Sequence, residues 1–193
     1  MAYDQTVLAR GGLVGLAMLL LLLSGCGARA KTSEAKKFDA YPLYWLGERF
    51  ERWKLEDVLG LDGGSFVTLV YGSCTPRGGE QPSCSPPLQI QLSRLCLHLE
   101  VVTASQVWMH QSVRGAPLAR NPDGAPVLLT RRVQVKVYRG EGSDSGIELR
   151  ALRALRSLNA VSPVVGVNED IPSPGRDVLL GRRSCSEAER TKD

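Results

Sequence analysis

The sequence predicts an α+β domain with a small, mostly antiparallel sheet and one amphipathic helix packed on it. Three observations carry that reading. Short β-branched or period-2 runs recur between turn signals, as in SFVTLVYG (65–72), LQIQL (88–92) and the alternating Val133, Val135 and Val137. One segment, IELRALRALRSLN (147–159), has helical periodicity. The order is strands, a hairpin, the helix and an extended tail, without the strand–helix alternation of a parallel sheet.

The amino terminus is expected to lie outside this fold. Arg10 and the free amine precede an apolar run from Leu13 to Leu23, which is 11 residues long. A membrane-spanning helix needs roughly 20 residues, so the run fits the apolar core of a signal peptide better than an anchor helix. It ends in Leu23-Ser24-Gly25-Cys26.

This LSGC resembles the lipobox of bacterial lipoproteins. The resemblance covers residues 1–26 only. It implies a diacylglycerol thioether on Cys26, palmitate-class acyl chains, cleavage before Cys26, and a place on the extracytoplasmic face of a cell membrane. Two or three chains anchor far more firmly than one. A plain secretory signal or an uncleaved anchor is the alternative. The expected organisation is therefore a signal peptide (1–25), a lipid-anchored flexible tether (26–40), one globular domain (41–185) and a disordered tail (186–193). The tether is read from the absence of apolar periodicity in GARAKTSEAKKFDA. Its cations Arg29, Lys31, Lys36 and Lys37 suit either anionic head groups or plain solvation.

The domain opens with YPLYWLGERFERW, which gathers Tyr41, Tyr44, Trp45, Phe50 and Trp53. Core packing is the plainer role for them; an exposed aromatic platform for a glycan or peptide is the sharper one. Leu55 to Leu59 reads as a short turn or helix. LDGG (61–64) is a turn, followed by the strand within Ser65–Gly72. FVTLVYG and LQIQL bracket the loop CTPRGGEQPSC (74–84) and should pair as an antiparallel hairpin. From Leu95 the alternation changes parity, which calls for a bulge, bend or break at Ser93-Arg94. Trp108 to Val113 reads as a further strand. Arg120-Asn-Pro-Asp-Gly124 is a turn, and the flanking Gly-Ala-Pro repeats predict an edge or protruding hairpin.

Val133 to Tyr138 completes the strands. Ser145 with Glu148 three residues on predicts a capping box. In the helix, Ile147, Ala151, Leu152, Leu155 and Leu158 share one face, with Arg150, Arg153, Arg156 and Ser157 opposite. The rest is punctuated by Pro and Gly and should run extended over the surface, with Val178 to Leu180 as an edge strand. YWLGERF, YGSC and CSPPL loosely resemble uncharacterised secreted bacterial domains, which implies no activity.

Composition excludes several classes. The chain has 193 residues with 24 Lys+Arg against 20 Asp+Glu, a mild excess without the dense basic stripe of a nucleic-acid binder. Lipidation of Cys26 leaves Cys74, Cys84, Cys96 and Cys185, an even set that reads as two disulfides in an extracytoplasmic domain. Three pairings exist; Cys74–Cys84 is the local choice, and Cys96–Cys185 follows by elimination. A zinc site drawing on Cys74, Cys84, Cys96, His98 and Glu100 is the alternative, but the Cys-x9-Cys spacing is unlike the short pairs of structural zinc. There is no Cys-x-x-Cys, Gly-x-Ser-x-Gly, P-loop or His-Glu-x-x-His, and Ser33-x-x-Lys36 falls in the tether. Glu48, Glu51, Glu56 and Asp57 could supply a carboxylate pair, and His110 a base. The arginine face with Arg182-Arg183 suits an anionic partner or plain solvation. No cofactor is expected. The leading expectation is a membrane-tethered, non-enzymatic module that binds an envelope protein or polymer. The alternatives are an envelope hydrolase and a metal-binding or redox lipoprotein.

Overall fold

The computed structural model describes residues 26–73, 85–97, 111–179 and 184–185, the first five by backbone only. Cys74, Cys84, His98, Glu100, His110, Arg182 and Arg183 lie outside the described residues, as do 1–25 and 186–193.

The chain is helical from its first described residue. Helix α1 (Cys26–Lys37) corrects the flexible-tether expectation. Ala, Lys and Glu are good helix formers, and Lys36 and Lys37 sit favourably at the negative end of the helix dipole. Thr32 and Ala35 lie one turn apart and are buried at 9% and 0% exposure. The helix packs against β3 (Trp53–Leu59), where Lys31 Nζ meets Asp57 Oδ1 at 2.5 Å. This half-exposed ion pair contributes about 0–1 kcal/mol.

An eight-stranded antiparallel sheet forms the body of the fold. Its strands are β2 (Arg49–Phe50), β3, β4 (Val67–Tyr71), β5 (Leu88–Arg94), β6 (Ser112–Val113), β7 (Ala116–Arg120), β8 (Pro126–Leu129) and β9 (Val133–Arg139). Their spatial order is β2-β3-β4-β5-β9-β8-β7-β6. Two meanders therefore meet at a central pair, β5 and β9, in register from Leu88↔Arg139 to Arg94↔Val133. A separate two-stranded ribbon joins β1 (Tyr44–Trp45) to β10 (Arg156–Ser157).

The expected strands at 65–72, 88–92 and 133–138 are present, and β4 and β5 pair as a hairpin across the 74–84 loop. Leu55–Leu59, expected as a turn or helix, is strand instead. Its alternation of buried Leu55 and Val58 is displaced by a register shift between Leu55 and Asp57, which hides the period of 2. Gly60 follows at φ +81°, and a Cβ there would fall 2.0 Å from the Phe66 carbonyl oxygen, so the β3–β4 turn requires glycine.

β5 runs unbroken through Ser93 and Arg94, in register with Gln134 and Val133, so the irregularity expected there is absent; the chain leaves the strand at a 3₁₀ turn over Leu95–Leu97, where the parity change had suggested a new strand. Cys96 is thus on a turn rather than on a strand. Of the strand expected over Trp108–Val113, only 111–113 are described, and Ser112–Val113 is strand. The Asn121–Gly124 turn joins β7 to β8 with Gly124 at φ +85°. That hairpin is not at the sheet edge: β8 lies between β7 and β9. Pro126 opens β8, a position that tolerates its missing N–H.

Two hydrophobic clusters flank the sheet. The larger joins Val67, Leu69, Leu88, Ile90, Leu92, Val133, Val135 and Val137 to Tyr41, Leu43, Tyr44 and helix α2 (Ile147–Ala154). All five residues expected on the helix's apolar face are buried, and Arg150, Arg153 and Arg156 are exposed, with Arg156 donating to Leu46 O at 2.9 Å. The helix is shorter than its periodicity predicted. It starts after Gly146 without a side-chain cap, so the Ser145–Glu148 capping box does not form. It ends at Leu155, whose backbone turns extended so that Arg156 and Ser157 can pair with Trp45 and Tyr44. The smaller cluster lies around Leu95, Ala119, Val127 and Leu129, capped by Val178 and Leu179. Those last two sit in a short helix α3 (Arg176–Leu179), not the edge strand expected there. The Cys96–Cys185 disulfide closes this cluster, its ends 89 positions apart.

Candidate functional site

β2 and β3 are joined by a tight turn at Glu51-Arg52, with Glu51 at φ +49°. Opposite this turn lies the 140–146 loop, which carries the chain from β9 to α2. Between them is an open cleft of about 420 Å³, lined by Glu51, Arg52, Trp53, Gly142, Ser143 and Asp144.

Arg150, one turn into α2, holds the cleft together. Its Nε donates to Glu51 Oε1 at 2.8 Å, and its Nη2 donates to both oxygens of Asp144, at 2.9 and 2.8 Å. Arg52 donates to the Gly142 carbonyl, and its guanidinium lies 4.9 Å from the Trp53 ring centroid. That stacking covers one edge of Trp53, which is 9% exposed and packs into the core. Arg139 and Glu148 form a neighbouring ion pair at 3.5 Å.

The electrostatics follow from the geometry. The Arg150 hydrogen bonds hold the Asp144 carboxyl below its usual range, and the same bonds to Asp144 and Glu51 raise Arg150 further above its own. A carboxylate held in this way is a poor proton carrier near neutral pH. The cleft therefore presents arginine-bridged carboxylates along one wall.

The carboxylates singled out in the sequence do not converge. Glu51 pairs with Arg150 and Asp57 with Lys31, on different parts of β3 and its turn, while Glu48 and Glu56 are exposed. Asp144 and Arg150 form a site that spacing could not reveal. Glu51 and Arg150 are 99 positions apart, and only the strand order brings them together. The aromatic opening is divided: Tyr41, Tyr44 and Trp53 are buried, while Trp45 and Phe50 are half-buried. Core packing accounts for most of it.

Two further constellations are architectural. Arg114 and Gly115 form the two-residue β6–β7 loop, both at positive φ, +52° and +79°. From there Arg114 reaches four backbone carbonyls. It donates to Glu169 O at 2.5 Å, Leu155 O at 2.5 Å, Arg153 O at 3.2 Å and Gly166 O. It thereby caps the C-terminal end of α2 and ties the 166–169 loop to the sheet. Asn159 and Ser162 similarly bind the backbone of Phe38, Tyr41 and Leu43.

Among the described residues, no group of three or more His, Cys, Asp or Glu side chains is arranged to hold a metal ion. Likewise, no described helix is long and apolar enough to cross a membrane. No family model, curated protein or solved structure matches the chain.

Proposed function

We propose that the chain is a membrane-tethered envelope lipoprotein, acylated on Cys26, whose domain is a non-enzymatic module binding an envelope protein or polymer. The Cys96–Cys185 disulfide is the observation that carries this reading. Such bonds persist in oxidising, extracytoplasmic compartments, which is where a lipobox at Leu23–Cys26 would send the chain. The bound state of Glu51 and Asp144 favours a binding module over a hydrolase at the cleft.

Metabolic labelling with a fatty-acid analogue tests the anchor: the wild-type chain should be labelled, and Cys26→Ser should abolish the label. Equal labelling of both sinks the lipoprotein reading. Cross-linking in the native membrane, followed by mass spectrometry, tests the binding role. A partner cross-linked to the cleft and lost on Arg150→Ala supports it.

A further inference from the structure

Val164 is 93% exposed, the most exposed of the large hydrophobics among the described residues, and Val167 three residues on is 53% exposed. Loose chain does not explain this exposure. Ser157 accepts from Val165 N at 3.0 Å, donates its own N–H to Val165 O at 3.2 Å, and donates its hydroxyl to Pro163 O. Val165 itself is a core residue at 4% exposure. Val164 is therefore held outward by bonds to both of its neighbours.

The same serine fixes a tryptophan beside it. Trp45 Nε1 donates to Ser157 O at 3.1 Å, leaving the ring half-buried. Lys36, on α1, places its ammonium 6.0 Å from the Trp45 ring centroid. Arg156 faces Trp45 across the β1–β10 ribbon and is exposed. Lys36, Lys37 and Arg156 lie beside the acids Glu34 and Asp39 near the end of α1, with Arg156 also donating to Leu46 O at 2.9 Å, and the Glu169 carboxylate accepts from Gly166 N at 2.7 Å, two residues beyond Val164.

We infer that Val164, Trp45 and the cations Lys36 and Arg156 form a contact surface for an anionic lipid bilayer. The inference rests on the lipoprotein reading. An apolar tip, a tryptophan with its polar edge satisfied and adjacent cations match the chemistry of the head-group region. Removing Val164 from water is favourable, and at 93% exposure no described part of the fold does it. The anchor supports the same occupant. Lys36 follows Cys26 by ten residues of continuous helix, about 15 Å of rise. Because α1 is docked on β3, acyl chains on Cys26 hold this surface near the bilayer with no slack linker between.

The test uses the acylated full chain in vesicles of phosphatidylcholine and phosphatidylglycerol, with or without brominated acyl chains. Bromine quenches tryptophan on contact, and Trp45→Phe isolates the Trp45 share of the emission. Quenching of that share, and its loss in Val164→Asp at unchanged melting temperature, is the expected result. Trp45 emission indifferent to bromine, or quenching unaltered in Val164→Asp, overturns the surface. Fatty-acid labelling of the same preparation separates the two claims. Absent label defeats the anchor reading, whereas label without Trp45 quenching defeats this surface alone.

Discussion

Arg114 has a conformation that side chains rarely adopt, at φ +52°, and makes four hydrogen bonds from it. Desolvation lowers its pKa, with the nearby Glu169 carboxylate opposing that shift. Arg114→Ala leaves several carbonyls without a partner and should cost about 3 kcal/mol in urea denaturation. Arg114→Lys should recover only part, because an ammonium cannot reproduce the planar fork. A wild-type midpoint in the alanine variant would show that the clamp is dispensable. Two core tyrosines report on pH. Burial pushes Tyr44 up to about 12 and raises Tyr71 further, despite its hydrogen bond from Leu46 N. A folded pKa above the unfolded value of about 10 means that their stabilisation is complete below pH 10. It is lost as pH rises toward 12 and beyond. Tyrosinate absorbance should therefore lag behind that of free tyrosine and appear together with loss of the near-ultraviolet circular dichroism signal. A tyrosinate curve centred near 10 with the fold intact would contradict the burial argument.

Among the elements, those with a strong period were legible and those shaped by distant partners were not. β4 and the first part of β5 alternate because one face of each is core, whereas β9 alternates in residue type although Val133 to Val137 are all buried. α1 was invisible: among its described side chains, from Lys31 on, Thr32 and Ala35 are the buried ones, and two small side chains make no apolar stripe. Ala35→Leu should overpack this contact and cost about 1–3 kcal/mol by thermal or urea unfolding, whereas a solvent-facing change such as Ser33→Ala should stay within about 0.5 kcal/mol. The end of α2 was misplaced for a related reason. Arg156 and Ser157 fit the helical wheel, but a strand partner at Tyr44–Trp45 and the Arg114 clamp take precedence over local propensity. The cleft was legible only in half: Glu51 was on view in the sequence, but its link to Arg150 depends on the strand order. The C-terminal helix α3 depends on its covalent tie. With its ends 89 positions apart, the Cys96–Cys185 bond should contribute about 4–5 kcal/mol by constraint of the unfolded chain. Cys185→Ser should lower the unfolding midpoint accordingly and admit a hydrophobic dye at the Leu95–Val178 cluster. No dye uptake and an unchanged midpoint would show that α3 holds without it.

At the scale of the molecule, stability is concentrated where the two meanders meet. Ile90 and Val137 face each other across that junction at 0% exposure, whereas Leu59 near the β3–β4 turn is 47% exposed. Ile90→Ala should cost about 2–5 kcal/mol, and Leu59→Ala about 0.5 kcal/mol or less, in equilibrium unfolding. Equal costs would mean that the junction is not the organising core.

The mirrored strand order also decides what the sheet shows to other molecules. Each meander begins with a two-residue strand, β2 or β6, and mirroring sends both to the outside while the seven-residue β5 and β9 lie at the middle. Among the described residues, neither outermost strand offers a long row of free amides and carbonyls for a second copy to pair with. That brevity protects against edge-to-edge aggregation.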